Sequence, residues 1–366
     1  MKKRTSKMQP GISAQRGYAM LAIIAVLGVA ATTVVVTSLS ATAVHNEQNR
    51  RTSSALALAK QALIANAASS STRPGSLPCP DADNDGLADP AAGACTNLIG
   101  RLPWQTLGLP DLRDSSGERL WYALSQQFSD TNAINSTTVG ELNITGTLTA
   151  ANTAAIVFAA GAPVNGQLRN AERLFTPSQY IESYTGPTTF VTSDAGSSYN
   201  DQLMVITATD IFAVVDRRIA KELQNSLQAY SAATSGRLPW YSTACTAGAC
   251  PTVFPQPTPP APAVVWPEAG TGYLPTDDAA LNAALPAWFV ANQWNSVVSY
   301  RVDSNCVAGI SPCGAAFSSY SAGGSSGVLI GFTSGTPNNG TKAVLSISGM
   351  NPVTNLQMTA LDAAVQ

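Results

Sequence analysis

From Tyr18 to Val36 almost every position is apolar, and no charged side chain occurs between Arg16 and Glu47. That length matches the ~20 residues a helix needs to cross a bilayer, so the pattern predicts one membrane-spanning helix. After His45 the pattern becomes amphipathic: Leu56, Leu58, Leu63 and Ile64 stand among alanines, with Lys60 and Gln61 between them and no proline before Pro74. The helix is therefore expected to continue to Ala68. A second helix is predicted over Asp210 to Ala232. Short apolar runs bounded by turn residues predict strands at Ala154 to Phe158, Thr188 to Thr192, Leu203 to Thr207, Val297 to Val302, Val328 to Phe332 and Ala343 to Ile347.

These elements repeat in order. Gly-Arg-Leu-Pro-Trp occurs at 100–104 and again at 236–240, each time after a predicted helix. Phe-x-x-Gly-x-Pro-x-Asn-Gly occurs at 158–166 and 332–340, each time at the end of an apolar strand. Two matches in one order predict a duplication. The second copy is longer, and the Pro-rich stretch Pro251 to Pro267 is its expected insertion, a stiff extended loop. The fold class expected is α+β: a long N-terminal transmembrane helix continuing into a head of two related lobes, each a helix on a small antiparallel sheet. The corresponding boundaries are a basic leader at 1–17, a transmembrane and stalk helix at 18–70, a first lobe at 71–208 and a second at 209–366.

Charge sharpens the orientation. The first 17 residues hold Lys2, Lys3, Arg4, Lys7 and Arg16 and no acid, which places that end in the cytoplasm and the bulk of the chain outside. Removing those five from the 20 basic residues leaves 15 against 22 acidic ones, so the head is acidic. An acidic head excludes duplex nucleic acid as the main partner, because phosphate binding needs clustered Lys and Arg. Two processing routes fit this end of the chain. Ala41-Thr42-Ala43 offers a small-x-small site for an ordinary signal peptidase, which would release a surface protein with no filament role.

The junction Arg16-Gly17-Tyr18 offers the other. A hydrophilic leader ending in glycine, followed directly by an aromatic residue and an unbroken apolar helix, resembles the class III leader of type IV pilins and type II secretion pseudopilins. The resemblance implies cleavage between Gly17 and Tyr18 by a prepilin peptidase, methylation of the new N-terminus, and a helix half in the inner membrane and half buried in a periplasmic pilin-like head. It also implies other pilin or pseudopilin subunits as partners, packed through the N-terminal helix. Family members usually carry Phe first and Glu fifth in the mature chain, where this chain has Tyr18 and Ala22. The missing carboxylate, which in the family pairs with a neighbour's N-terminal amine, and the large head resemble a tip or initiating minor subunit; a subunit that never polymerises is the other explanation. Such a subunit would prime assembly or act as a filament-borne adhesin or substrate-recognition module. The run from Leu77-Pro-Cys-Pro-Asp81 to Leu120-Trp-Tyr-Ala123 is similar to large bacterial pilin-like proteins.

Six cysteines form three close pairs, Cys79 with Cys95, Cys245 with Cys250 and Cys306 with Cys313, as expected of local disulfides in an oxidising compartment. Between the first pair, Asp81, Asp83, Asp85 and Asp89 fall at positions 1, 3, 5 and 9 of a calcium loop, with Gly86 at the turn and Leu87 placed to offer its carbonyl. A Ca2+ site is therefore expected. Ala92 occupies position 12, where a bidentate Glu belongs, so Asp111 or Asp114 is the candidate replacement. Trp104, Trp121 and Tyr122 read as core aromatics, and Arg113, Asp114, Glu118 and Arg119 as a surface ion-pair set. No enzyme is expected: the sole histidine, His45, stands at the membrane exit, and no Gly-x-Ser-x-Gly, P-loop or dinucleotide motif occurs.

Overall fold

The structure, a computed structural model, describes residues 43–164, 166–170, 173–233, 239, 242, 250, 271–302, 329–333 and 341–347. The chain divides into two compact units, Met1–Ser53 and Ser54–Gln366. In the first unit the described residues, 43–53, are helical, and Glu47 pairs with Arg50 and Arg51 at 2.8 Å each. The apolar run 18–42 lies outside the described residues. Among the described residues no helix is long and apolar enough to cross a membrane.

The second unit is α+β and is built around one sheet. Its strands are β1 (Ile99–Arg101), β2 (Trp121–Leu124), β5 (Ala155–Ala159) and β7 (Gln202–Ile206), in that spatial order with antiparallel neighbours throughout. Strand β5, Ala-Ile-Val-Phe-Ala, is buried along its whole length, which is why the sequence shows a continuous apolar run rather than alternation. Its side chains divide by pleat. Ala155, Val157 and Ala159, with Tyr122 and Leu124 of β2, face one core; Ile156 and Phe158, with Trp121 and Ala123, face another.

Helices fill the first core. Helix α1 (54–69) presents Leu56, Ala59, Leu63 and Ala67, and α2 (Ala208–Ala233) presents Ile211, Val215, Ile219, Leu223 and Leu227, both with helical spacing. Thr207 and Asp210 cap α2 reciprocally: the Thr207 amide donates to Asp210 Oδ2 at 2.9 Å, and the Asp210 amide donates to Thr207 Oγ1 at 3.1 Å. The short helices α3 (Ala279–Ala284) and α4 (Ala287–Ala291) complete this core with Leu281, Trp288, Phe289 and the nearby Trp294. The core therefore runs through the 208/209 position without interruption.

A three-stranded sheet covers the opposite face. It consists of β3 (Leu142–Gly146), β4 (Ala150–Thr153) and β6 (Thr189–Thr192), in the order β4-β3-β6, with β3 and β6 parallel. Leu142, Ile144 and Phe190 close the second core, and Phe190 meets Phe158 with ring centroids 5.0 Å apart. A third sheet has the order β10-β11-β9-β8, from β8 (Thr271–Tyr273), β9 (Val298–Val302), β10 (Leu329–Thr333) and β11 (Thr341–Ile347).

All six predicted strands form, as do the predicted helix over Asp210 to Ala232 and the stalk part of the first helix, residues 43–69, with ends displaced by a few residues; the membrane-spanning part of the first helix lies outside the described residues. The two Phe motifs meet different environments. Phe158 lies in β5, between β2 and β7, whereas Phe332 lies in β10 at the edge of its sheet. Of the second Gly-Arg-Leu-Pro-Trp only Pro239 is described, and the Pro-rich stretch 251–267 lies outside the described residues.

Candidate metal centre

The loop from Cys79 to Cys95 is closed by a disulfide between those residues, with Cα atoms 5.2 Å apart. Within it Asp81 is almost fully buried and organises the turn. Its Oδ1 accepts the Asp83 amide at 3.2 Å and the Asn84 amide at 2.5 Å; its Oδ2 accepts the Gly86 amide at 2.7 Å. Short carboxylate-to-amide bonds of this kind explain why Asp recurs at alternate positions even before a cation is considered. Burial nonetheless pushes the Asp81 carboxyl up, despite the amides of Gly86 and Asn84 that favour its charge.

Two glycines are required here. Gly86 has φ +92°, and a Cβ on it would meet the Trp104 indole nitrogen at 2.5 Å. At Gly100 a Cβ would lie 2.5 Å from the Asp81 carbonyl oxygen, because the Asp81 and Arg101 backbones exchange hydrogen bonds at 3.0 and 2.8 Å. The Gly-Arg-Leu-Pro-Trp motif thus seats the loop: its glycine admits the Asp81 backbone and its tryptophan covers Gly86.

Three of the four spaced carboxylates converge. Asp81, Asp83 and Asp89 place ligand oxygens within 4.8 Å of one another. Asp85 lies outside that group and accepts the Leu87 amide at 2.7 Å, while the Leu87 side chain is exposed. The candidates for the missing twelfth ligand are engaged elsewhere. Asp111 pairs with Arg113 at 2.7 Å and Arg119 at 3.0 Å. Asp114 is buried rather than at the surface, and accepts the amides of Ser116, Glu118 and Gly161 at 2.8, 3.0 and 2.8 Å. The donor set is all oxygen and anionic, which suits a hard cation such as Ca2+ and not a thiolate or imidazole metal. With three carboxylates it is short of a full calcium shell, and water or backbone carbonyls would supply the remainder.

The other expected site residues divide as follows. Gly17 and Tyr18 lie outside the described residues, as do Cys245, Cys306 and Cys313. Cys250 is disulfide-bonded. Trp121 and Tyr122 are core aromatics and Trp104 is half-buried. Glu118 faces Arg169 at 3.6 Å and Arg101 at 3.9 Å.

Sequence reasoning missed several buried polar groups. The Arg101 guanidinium lies over both the Trp121 ring, at 4.3 Å, and the Tyr180 ring, at 4.4 Å, two rings that themselves meet with centroids 5.2 Å apart. Glu182 and Asp201 form a buried acidic pair, and Asp216 is a buried acid on α2. A cleft of about 560 Å³ also opens beside Trp288, but its arginines are committed: Arg218 to the Ala68 and Ser70 carbonyls and Glu222, and Arg73 to Asp130. No family model, characterised protein or solved structure matches the chain.

Proposed function

We propose that the chain is a minor pilin or pseudopilin subunit, placed at or near a filament tip, which primes assembly or presents a binding head. The observation that carries this reading is the order of the chain. The Arg16-Gly17-Tyr18 junction and its apolar run come first, and an amphipathic helix with one face in the core of an antiparallel sheet follows. On this reading a prepilin peptidase cuts after Gly17 on the cytoplasmic face of the inner membrane. The apolar helix then packs against the helices of other subunits, and the head stands in the periplasm. Ala22 removes the carboxylate that would pair with a subunit ahead, which suits a position with none ahead.

The duplication is part of the same proposal. Helices α1 and α2 support it, since each precedes a four-stranded sheet and the two lie side by side in one direction. The Asp-rich loop is the candidate Ca2+ site of the head, held by Asp81, Asp83 and Asp89. There the cation would relieve the mutual repulsion of three crowded carboxylates and stiffen the disulfide-closed loop.

Immunogold labelling of an epitope-tagged chain on sheared filaments tests this function. Label confined to filament ends is expected. Label along the shaft would contradict it, and filaments that form normally without the chain would leave the binding head and remove the priming role.

A further inference from the structure

Between Ile181 and β7 the chain makes an excursion that carries β6 and returns through an exposed loop, 193–198. The two ends of the excursion are held by a reciprocal clasp. Glu182 Oε2 accepts the amides of Asn200 at 3.0 Å and Asp201 at 3.1 Å. In return Asp201 Oδ2 accepts the Ser183 amide at 2.8 Å and the Ser183 hydroxyl at 2.9 Å. Little of either acid meets solvent: the Glu182 side chain is 8% exposed and Asp201 7%. Two carboxylates confined together in a low dielectric cannot both ionise cheaply.

The surrounding charges do not cancel the pair. Glu182 Oε1 accepts the Gln167 side-chain amide and faces Arg169 Nη2 at 3.9 Å. Arg169 also faces Glu118 at 3.6 Å, lies against the Tyr180 ring, and donates to the Gly161 and Ala160 carbonyls, so its charge is shared. Arg101 also lies against the Tyr180 ring and is itself 3.9 Å from Glu118. Beside Asp201, the Tyr199 hydroxyl is held neutral well above its usual range by burial and by the two acids. Asp201 Oδ1 is buried and has no hydrogen-bond partner among the described residues, which leaves it as the oxygen able to carry a proton.

We infer that Asp201 carries a proton in the closed protein, and that losing it beside Glu182 unlatches the return loop 193–200 while β6 stays in its sheet. Phe190 anchors β6 in the second core, whereas residues 193–198 are exposed, so the loop opens at far smaller cost than the strand. Burial, then the Glu182 charge, pushes the Asp201 carboxyl from its ordinary 3.8 up to about 8. In the open loop Asp201 is solvated and ionises in the ordinary range. Rising pH therefore favours the open form, progressively between those two values and no further above the upper one. The clasp works as a proton-sensitive latch, closed in acid and loosened towards alkaline pH.

Segment-resolved hydrogen exchange on the full chain, corrected for the intrinsic pH dependence of exchange, tests the latch at the amides of Ser183, Asn200 and Asp201. Their protection should fall about tenfold per pH unit from pH 5 towards 8 and level off above. In Asp201→Asn, which keeps an acceptor for Ser183 but cannot ionise, protection should be flat with pH. In Glu182→Gln the levelling should move to lower pH, since the neighbouring charge is gone. The inference is overturned if the wild type is flat, if Asp201→Asn retains the slope, or if Glu182→Gln leaves the levelling where it was. It is equally overturned if β5 amides lose protection in step with the three, because that is global unfolding.

Discussion

Lys60 Nζ lies 3.0 Å from Asp210 Oδ2, joining α1 to α2 across 150 residues of chain. Arg218 reaches the Ala68 carbonyl at 2.6 Å, again 150 residues apart, so the helices run parallel in constant register. Asp210 has two duties, since the same carboxylate caps α2 through Thr207. Replacing it with alanine removes both and should lower stability by about 1–3 kcal/mol in chemical denaturation. Lys60→Met should lose less than about 1 kcal/mol, because the pair is a quarter to a third exposed.

Asp216 gives a pH-dependent prediction. It is 4% exposed on α2, its Oδ1 has no hydrogen-bond partner among the described residues, and burial pushes its carboxyl up to about 7. A raised acid is neutral in the folded state and charged in the unfolded one, so folding stability falls as pH rises through the window between the ordinary value, 3.8, and about 7. The slope is at most ~1.4 kcal/mol per pH unit. Asp216→Asn should be the more stable protein at neutral pH, with its advantage vanishing towards pH 4 in parallel melts.

Calcium binding is separable by residue. Wild-type protein should melt at higher temperature in millimolar Ca2+, the affinity range of weak extracellular sites. Asp83→Ala should abolish the rise. Asp85→Ala should retain it, because Asp85 lies outside the converging group. Equal loss in both variants would mean that the loop rearranges on binding.

Arg101 is a stacking residue as much as a charge. Arg101→Lys keeps the charge but loses the planar group over the Trp121 and Tyr180 rings and the bond from Nη1 to the Arg119 carbonyl at 3.0 Å. A loss of about 2–4 kcal/mol is expected in denaturant titration.

Much of this architecture is legible in the sequence. Ala154 to Phe158 reads as a buried strand because both its faces are covered, and α2 reads as a helix because Ile211, Val215, Ile219 and Leu223 recur at helical spacing. The small sheet is legible only at Thr188 to Thr192, and its other two strands are not. Leu142–Gly146 offers only a few alternating positions, and its parallel pairing with Thr189–Thr192 is decided by contacts 46 residues away along the chain, as between Asn143 and Thr189. The aspartate spacing points to the loop but not to which carboxylates converge, since all four accept loop amides and only the folded turn sets which oxygens meet. Glu182 and Asp201 carry no spacing signature at all, because packing alone brings them together.

The filament reading turns on one bond. Mass spectrometry of the mature N-terminus, from protein extracted from the envelope of a cell with an active prepilin peptidase, should find a chain beginning at a methylated Tyr18. A chain beginning at Val44 would contradict the account and assign the apolar run to an ordinary signal peptide.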